Sequence, residues 1–123
     1  MKVMSINLGG KKYPACMSIA ATKAISERFG GLDNIGKTEG QTEARMLEDA
    51  IFLLHTLMAS GAKFVRLTED RTVQVPTIED MEDLYGMDDL ATIQGVSAAI
   101  ITEGSKRTVE TDEKNADTTE SKP

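Results

Sequence analysis

A chain of 123 residues has room for one hydrophobic core and not for two comfortable ones. Its 20 acidic and 14 basic residues leave a net charge of −6, which argues against the sequence-independent grip on nucleic acid that needs Lys and Arg at phosphates. One cysteine, Cys16, forms no internal disulfide, and with one histidine, His55, it cannot complete a zinc site of the usual Cys and His ligands.

The amino-terminal residues show no basic-then-apolar leader. The longest apolar run, residues 50–54, falls far below the roughly 18 residues of a membrane span. The expectation is a soluble protein of a reducing cytoplasm, without a membrane or nucleic-acid partner.

Residues 2–8 alternate, with Met4, Ile6 and Leu8 on one face, the period of a half-buried strand. Gly9-Gly10 supplies positive φ for a two-residue turn, so residues 11–15 should return antiparallel with Tyr13 on the side of Met4 or Ile6. Pro14 is expected to limit that pairing. Ser18 caps a helix that turns Ala21, Ala24, Ile25 and Phe29 inward; Gly30-Gly31 ends it, and Leu32 and Ile35 fold back on its last turn. Residues 36–41 read as a polar loop.

The centre of the core is a helix over residues 44–60. Thr42 is its N-cap, Glu43 sits in its first turn, and Gly61 is its stop. A 3.6-residue period gathers Leu47, Ala50, Ile51, Leu54, Leu57 and Met58 into a stripe wide enough to need at least two covering elements. Residues 64–67 and 72–75, short and β-branched, suggest a second hairpin. After Pro76, Thr77 opens a short helix with Ile78, Met81, Leu84 and Tyr85 buried and Gly86 at its end. Asp88 then caps a last helix carrying Leu90, Ile93, Val96, Ser97, Ile100 and Ile101 up to Gly104. Residues 105–123 hold Val109 as their only large apolar side chain and are expected to be disordered. The fold class is therefore α+β and mainly α-helical: an N-terminal β-hairpin, about four helices and a short second hairpin in residues 1–104, then a polar tail.

Catalytic and metal chemistry find little support. The carboxylates Glu79, Asp80, Glu82, Asp83, Asp88 and Asp89 fit caps and first turns, because apolar helix-face residues interrupt any calcium-loop spacing. Cys16 and His55 lack a third orienting group and an oxyanion hole, and Gly9-Gly10 lacks the Lys-Ser/Thr ending of a phosphate loop. No enzyme, metal or cofactor is expected. Phe52 stands apart, projecting from the polar side of the central helix among Arg45, Asp49 and Thr56. Either another element covers it or these four residues form a protein-binding surface with Phe52 as its aromatic anchor.

Three segments carry a family resemblance: residues 6–13 (Ile6-Asn7-Leu8-Gly9-Gly10-Lys11-Lys12-Tyr13), the helix end Ala24-Ile25-Ser26-Glu27-Arg28-Phe29-Gly30, and residues 53–62 from Leu53 to Ala62. With the late Asp88-Asp89-Leu90 helix, they make the chain resemble, over about residues 2–104, the tail assembly chaperones of long-tailed bacteriophages and prophages. The resemblance implies a non-enzymatic protein of the host cytoplasm, absent from the finished virion, that coats the tape measure protein and keeps its apolar helix soluble. It also implies self-association, and a longer product made by programmed frameshift that recruits the tail tube protein. Glu113-Lys114-Asn115 could be encoded by a slippery A-rich run. A structural connector or adaptor retained in the virion is the alternative.

Overall fold

The computed structural model describes residues 1–106. The expected disorder of the tail and the Glu113-Lys114-Asn115 run lie outside these residues from position 107 onward. Two strands, β1 (Val3–Leu8) and β2 (Lys11–Cys16), form an antiparallel hairpin, followed by four α-helices: α1 (Ile19–Phe29), α2 (Glu43–Glu69), α3 (Ile78–Leu84) and α4 (Leu90–Gly104). The hairpin turns through Gly9 and Gly10, both at positive φ, and its register places Ile6 opposite Tyr13. Ile6, Leu8, Tyr13 and Ala15 thereby face one side and enter the core. Pro14 does not limit the pairing. It stands opposite Ser5, and the ladder continues to Val3 and Cys16, because each strand of a two-stranded sheet has a free edge where a missing N–H costs nothing.

The hairpin and helices α1, α3 and α4 pack around α2. Leu54, Leu57 and Met58 are fully buried on it, and Ile51 and Leu53 nearly so, which at roughly 1.5–3 kcal/mol per side chain makes α2 the main source of burial energy. The helix runs 27 residues, through Gly61 and on to Asp70, which closes it in the left-handed conformation at φ 53°. Two expectations fall together here. Gly61 is not a stop, and residues 64–67 are not a strand: Val65 extends the buried series through Met58 and Gly61 at helical spacing. Residues 72–75 form no strand either, and Val73 and Val75 lie half-buried against the core as an extended strap.

Gly61 has a different task, since β2 crosses α2 so closely there that a Cβ would press into the Pro14 carbonyl. By length and composition alone α2 could span a bilayer, with a mean hydropathy of 1.3 over its most apolar stretch, 44% of which is buried within the fold.

Local signals behave as read in several places. The hydroxyls of Ser18, Thr42 and Thr77 accept the N–H groups of Ala21, Arg45 and Asp80, each at 3.1 Å. Gly30 ends α1 at φ 71°, and the Asn34 amide donates to the Phe29 and Gly30 carbonyls at 3.0 Å, satisfying acceptors the helix leaves open. Ile35 packs back on the core, whereas Leu32 stays exposed. Leu84 is also exposed, at 62%, because α3 ends there and only Met81 of its inward side is fully covered. Asp89, not Asp88, is the cap residue before α4. A 3₁₀ turn over Met87–Asp89 precedes that helix, and the Asp89 carboxylate accepts the Gly86 N–H at 2.9 Å.

Ser97, in the middle of α4, is buried, and among the described residues its hydroxyl has no hydrogen-bond partner. An unpartnered buried hydroxyl costs about 1–3 kcal/mol of desolvation. Ser97→Ala is therefore expected to raise the urea midpoint by the equivalent of roughly 1 kcal/mol. An unchanged or lower midpoint would mean that the hydroxyl is satisfied in solution.

Candidate functional site

The three residues grouped with Phe52, namely Arg45, Asp49 and Thr56, separate into two environments. Asp49 does not lie on a solvated face. Its side chain is only 10% exposed, and it gathers Arg28 Nε at 3.0 Å, Arg45 Nε at 3.3 Å and the Gln41 amide at 3.1 Å. Three segments, the end of α1, the loop before α2 and α2 itself, meet on this one carboxylate. Glu48 adds a longer contact to Arg28 at 3.8 Å. The Arg28 guanidinium also lies over the Phe52 ring, 5.1 Å from its centroid, a cation–π contact that shields one face of the aromatic. Phe52 is thus half-buried against the core, with Arg28 of α1 over one face of its ring.

Thr56, one turn further on, turns its hydroxyl back to the Phe52 carbonyl at 2.8 Å. That satisfied hydroxyl leaves its methyl group to line an open groove of about 620 Å³ between the start of α1 and the outer flank of α2. Ala20, Ala59, Phe64 and Leu67 provide the groove's apolar surface; Lys63 and His55 are its titratable side chains. Met1 and Leu67, which line it, are exposed at 64% and 67%, unusual positions for large apolar groups. Partial burial lowers the pKa of His55, which holds the imidazole neutral at physiological pH.

A second concavity, about 330 Å³, opens between the end of α1, α2 and α4 under the loop of residues 36–41. Phe29, Ile35, Ala50, Leu53 and Ile101 line it, with Asp49 at its edge. A third lies between α2 and the α3–α4 corner, where Leu47, Ile51, Tyr85 and Leu90 are flanked by Glu48 and Glu82.

Compared with known proteins, the chain matches no family model, no curated protein and no solved structure. Function must therefore be argued from the surfaces themselves. The Cys16 thiol contacts the Ser60 hydroxyl at 3.5 Å, and Ser60 in turn donates to Ser18. This chain of small polar groups ties β2, α1 and α2 together, and it brings no base to the thiol. Glu79 and Asp80 lie in the first turn of α3, and Asp88 and Asp89 in the turn before α4, whereas Glu82 and Asp83 fall in the second half of α3 and serve neither a cap nor a first turn; among the described residues no three His, Cys, Asp or Glu side chains converge to hold a metal. What the geometry offers is apolar, open and elongated, suited to holding another chain.

Reading periodicity residue by residue missed the groove, because it is made by two helices whose approach depends on the hairpin seated at Gly61. One signal was present: between positions 50 and 68 the chain holds Lys63 and Arg66 and no carboxylate, an acid-free stretch in an acidic protein.

Proposed function

We propose that this protein is a tail assembly chaperone of a long-tailed bacteriophage or prophage, acting by binding and not by catalysis. Its client is the tape measure protein, whose long apolar helix it keeps soluble in the host cytoplasm until the tail is built. The observation that carries this reading is the apolar flank left uncovered along α2, where half-buried Phe64 and exposed Leu67 line an open groove with Ala20, Ala59 and Met1. A protein that only needed to be stable would gain by polar residues at these positions, and a capture surface needs them apolar. The order of elements supports it as well: a hairpin, a helix ending in Phe29-Gly30, a long apolar helix and a helix pair are the features on which the family resemblance rests. Many copies bound along one elongated client would add avidity to a modest single-site affinity.

Co-expression with the long helical protein encoded beside it tests the reading. The expected result is that the client moves from the insoluble to the soluble fraction and co-purifies with this chain, and that purified tails lack the chain. A client that stays insoluble while this chain runs alone, or a chain retained in purified tails, would favour a structural connector instead.

A further inference from the structure

The groove between α1 and α2 differs in charge from the rest of the molecule. In a chain of net charge −6, no carboxylate among the described residues lines it, whereas the groove at the α3–α4 corner holds Glu48 and Glu82 and, among the described residues, no cation. Lys63 stands in its wall, exposed, and Arg66 follows three residues on. The first turn of α1, capped by Ser18 at the groove's edge, contains no acidic residue, so the positive end of that helix dipole is left uncompensated beside it.

The apolar lining follows helical spacing along α2, with Thr56, Ala59, Lys63 and Leu67 three or four residues apart. That makes a straight trough flanked by α1, which fits a rod lying alongside α2. A helix apolar on every side, with no carboxylate flanking its apolar stripe, would take water away from the Lys63 ammonium, and an ammonium stripped of water without a counter-charge is costly. A basic helix would meet Lys63 and the α1 dipole with like charge. A helix carrying carboxylates beside its apolar stripe meets neither penalty.

We propose that this groove docks an amphipathic helix of a partner protein, its apolar stripe on Ala20, Ala59, Phe64 and Leu67 and its flanking carboxylates against Lys63. The inference rests on the chaperone reading insofar as it takes the client segment to be helical, and it adds where that segment binds and which charge it carries.

Two fluorescein-labelled synthetic helices of about 18 residues, long enough to be helical alone, test it. They share one leucine stripe and differ only in having Glu or Lys on its flanks. The full chain is expected to bind the Glu-flanked peptide more tightly, by about tenfold in fluorescence anisotropy at low salt. Lys63→Glu should abolish or reverse that preference, and Leu67→Ser should weaken both peptides about tenfold. Both side chains are exposed, so the variants are expected to melt with the parent.

Equal affinity for the two peptides, no binding of either, or variants that bind like the parent would each overturn the proposal. So would a concentration-dependent oligomer of the free chain that Leu67→Ser disperses, which would make a second copy the occupant. Co-expression separates this failure from failure of the function. A parent chain that solubilises its client equally well as Lys63→Glu or Leu67→Ser keeps the chaperone and loses the groove. A parent that binds the Glu-flanked peptide but rescues no client keeps the groove and loses the chaperone.

Discussion

Gly61→Ala is expected to lower the melting temperature by about 10–15 °C, although helix propensity alone would favour it by about 1 kcal/mol. A Cβ at this position would press into the Pro14 carbonyl and lie 2.6 Å from Ala15 N. All of these are backbone atoms, so no side chain can swing away, and the hairpin must lift from α2 as a unit. Lifting it loosens Ile6, Leu8, Tyr13 and Ala15, each less than 9% exposed, and a net loss of roughly 2–3 kcal/mol follows from such overpacking. Gly95→Ala supplies the comparison. Gly95 also lies within a helix, but nothing stands within 4 Å of its would-be Cβ, so the same exchange should gain roughly 0.5–1 kcal/mol. Thermal denaturation followed by circular dichroism reads both. Equal shifts in the two variants would show that the hairpin is not seated against α2.

Asp49→Ala is expected to cost roughly 2–3 kcal/mol, read as a fall in the urea midpoint with an unchanged slope. The loss is not that of a surface ion pair, whose typical value is below about 1 kcal/mol, because the carboxylate is only 10% exposed and binds three side chains at once. Arg28, itself 27% exposed, would keep only the distant Glu48, and the loop before α2 would lose its Gln41 anchor. Asp49→Asn retains the shape and part of the hydrogen bonding, and should fall between the parent and the alanine variant. A double-mutant cycle with Phe52→Leu should show coupling, since Asp49 holds the guanidinium that covers the Phe52 ring. Independent effects would mean that Arg28 keeps its place without Asp49.

How far the sequence could be read depended on whether a residue acts through its neighbours in the chain or through distant ones. Ser18, Thr42 and Thr77 were readable as caps because the N–H each accepts lies three residues away. The alternation of Met4, Ile6 and Leu8 was readable because sheet geometry makes it a strand face wherever the hairpin packs. Gly61 was not, since a glycine after an apolar run is equally a stop signal and a place for close approach, and only β2 decides between them. Residues 64–67 failed for a related reason: four residues of β-branched and aromatic character carry too little periodicity to separate a strand from two more turns of helix. Asp49 looked like part of a solvated face because Arg28 and Gln41, which bury it, come from elsewhere in the chain. Of the surface expected around Phe52, Thr56 reaches the open groove and Arg45 and Asp49 are tied into ion pairs. Phe64 and Leu67 were assigned to the supposed hairpin, and Lys63 lay just before it, so their common face along α2 was not read.

The seat of Met17 also sets an order of events during synthesis. A Cβ at Gly104 would lie 2.6 Å from the Met17 Cβ, and the Lys2 ammonium reaches Glu103 at 3.3 Å, so the last turn of α4 closes over the beginning of the domain. A chain emerging from the ribosome can form the hairpin and α1 early, yet the side of Met17 that faces α4 stays open until the residues around 104 have also left the exit tunnel. For that interval the nascent domain presents an unsealed seam, and chaperones or proteases of the cell would meet it there first. Closure waits on translation of the final turn, and a codon that slowed the ribosome just before it would lengthen the exposure.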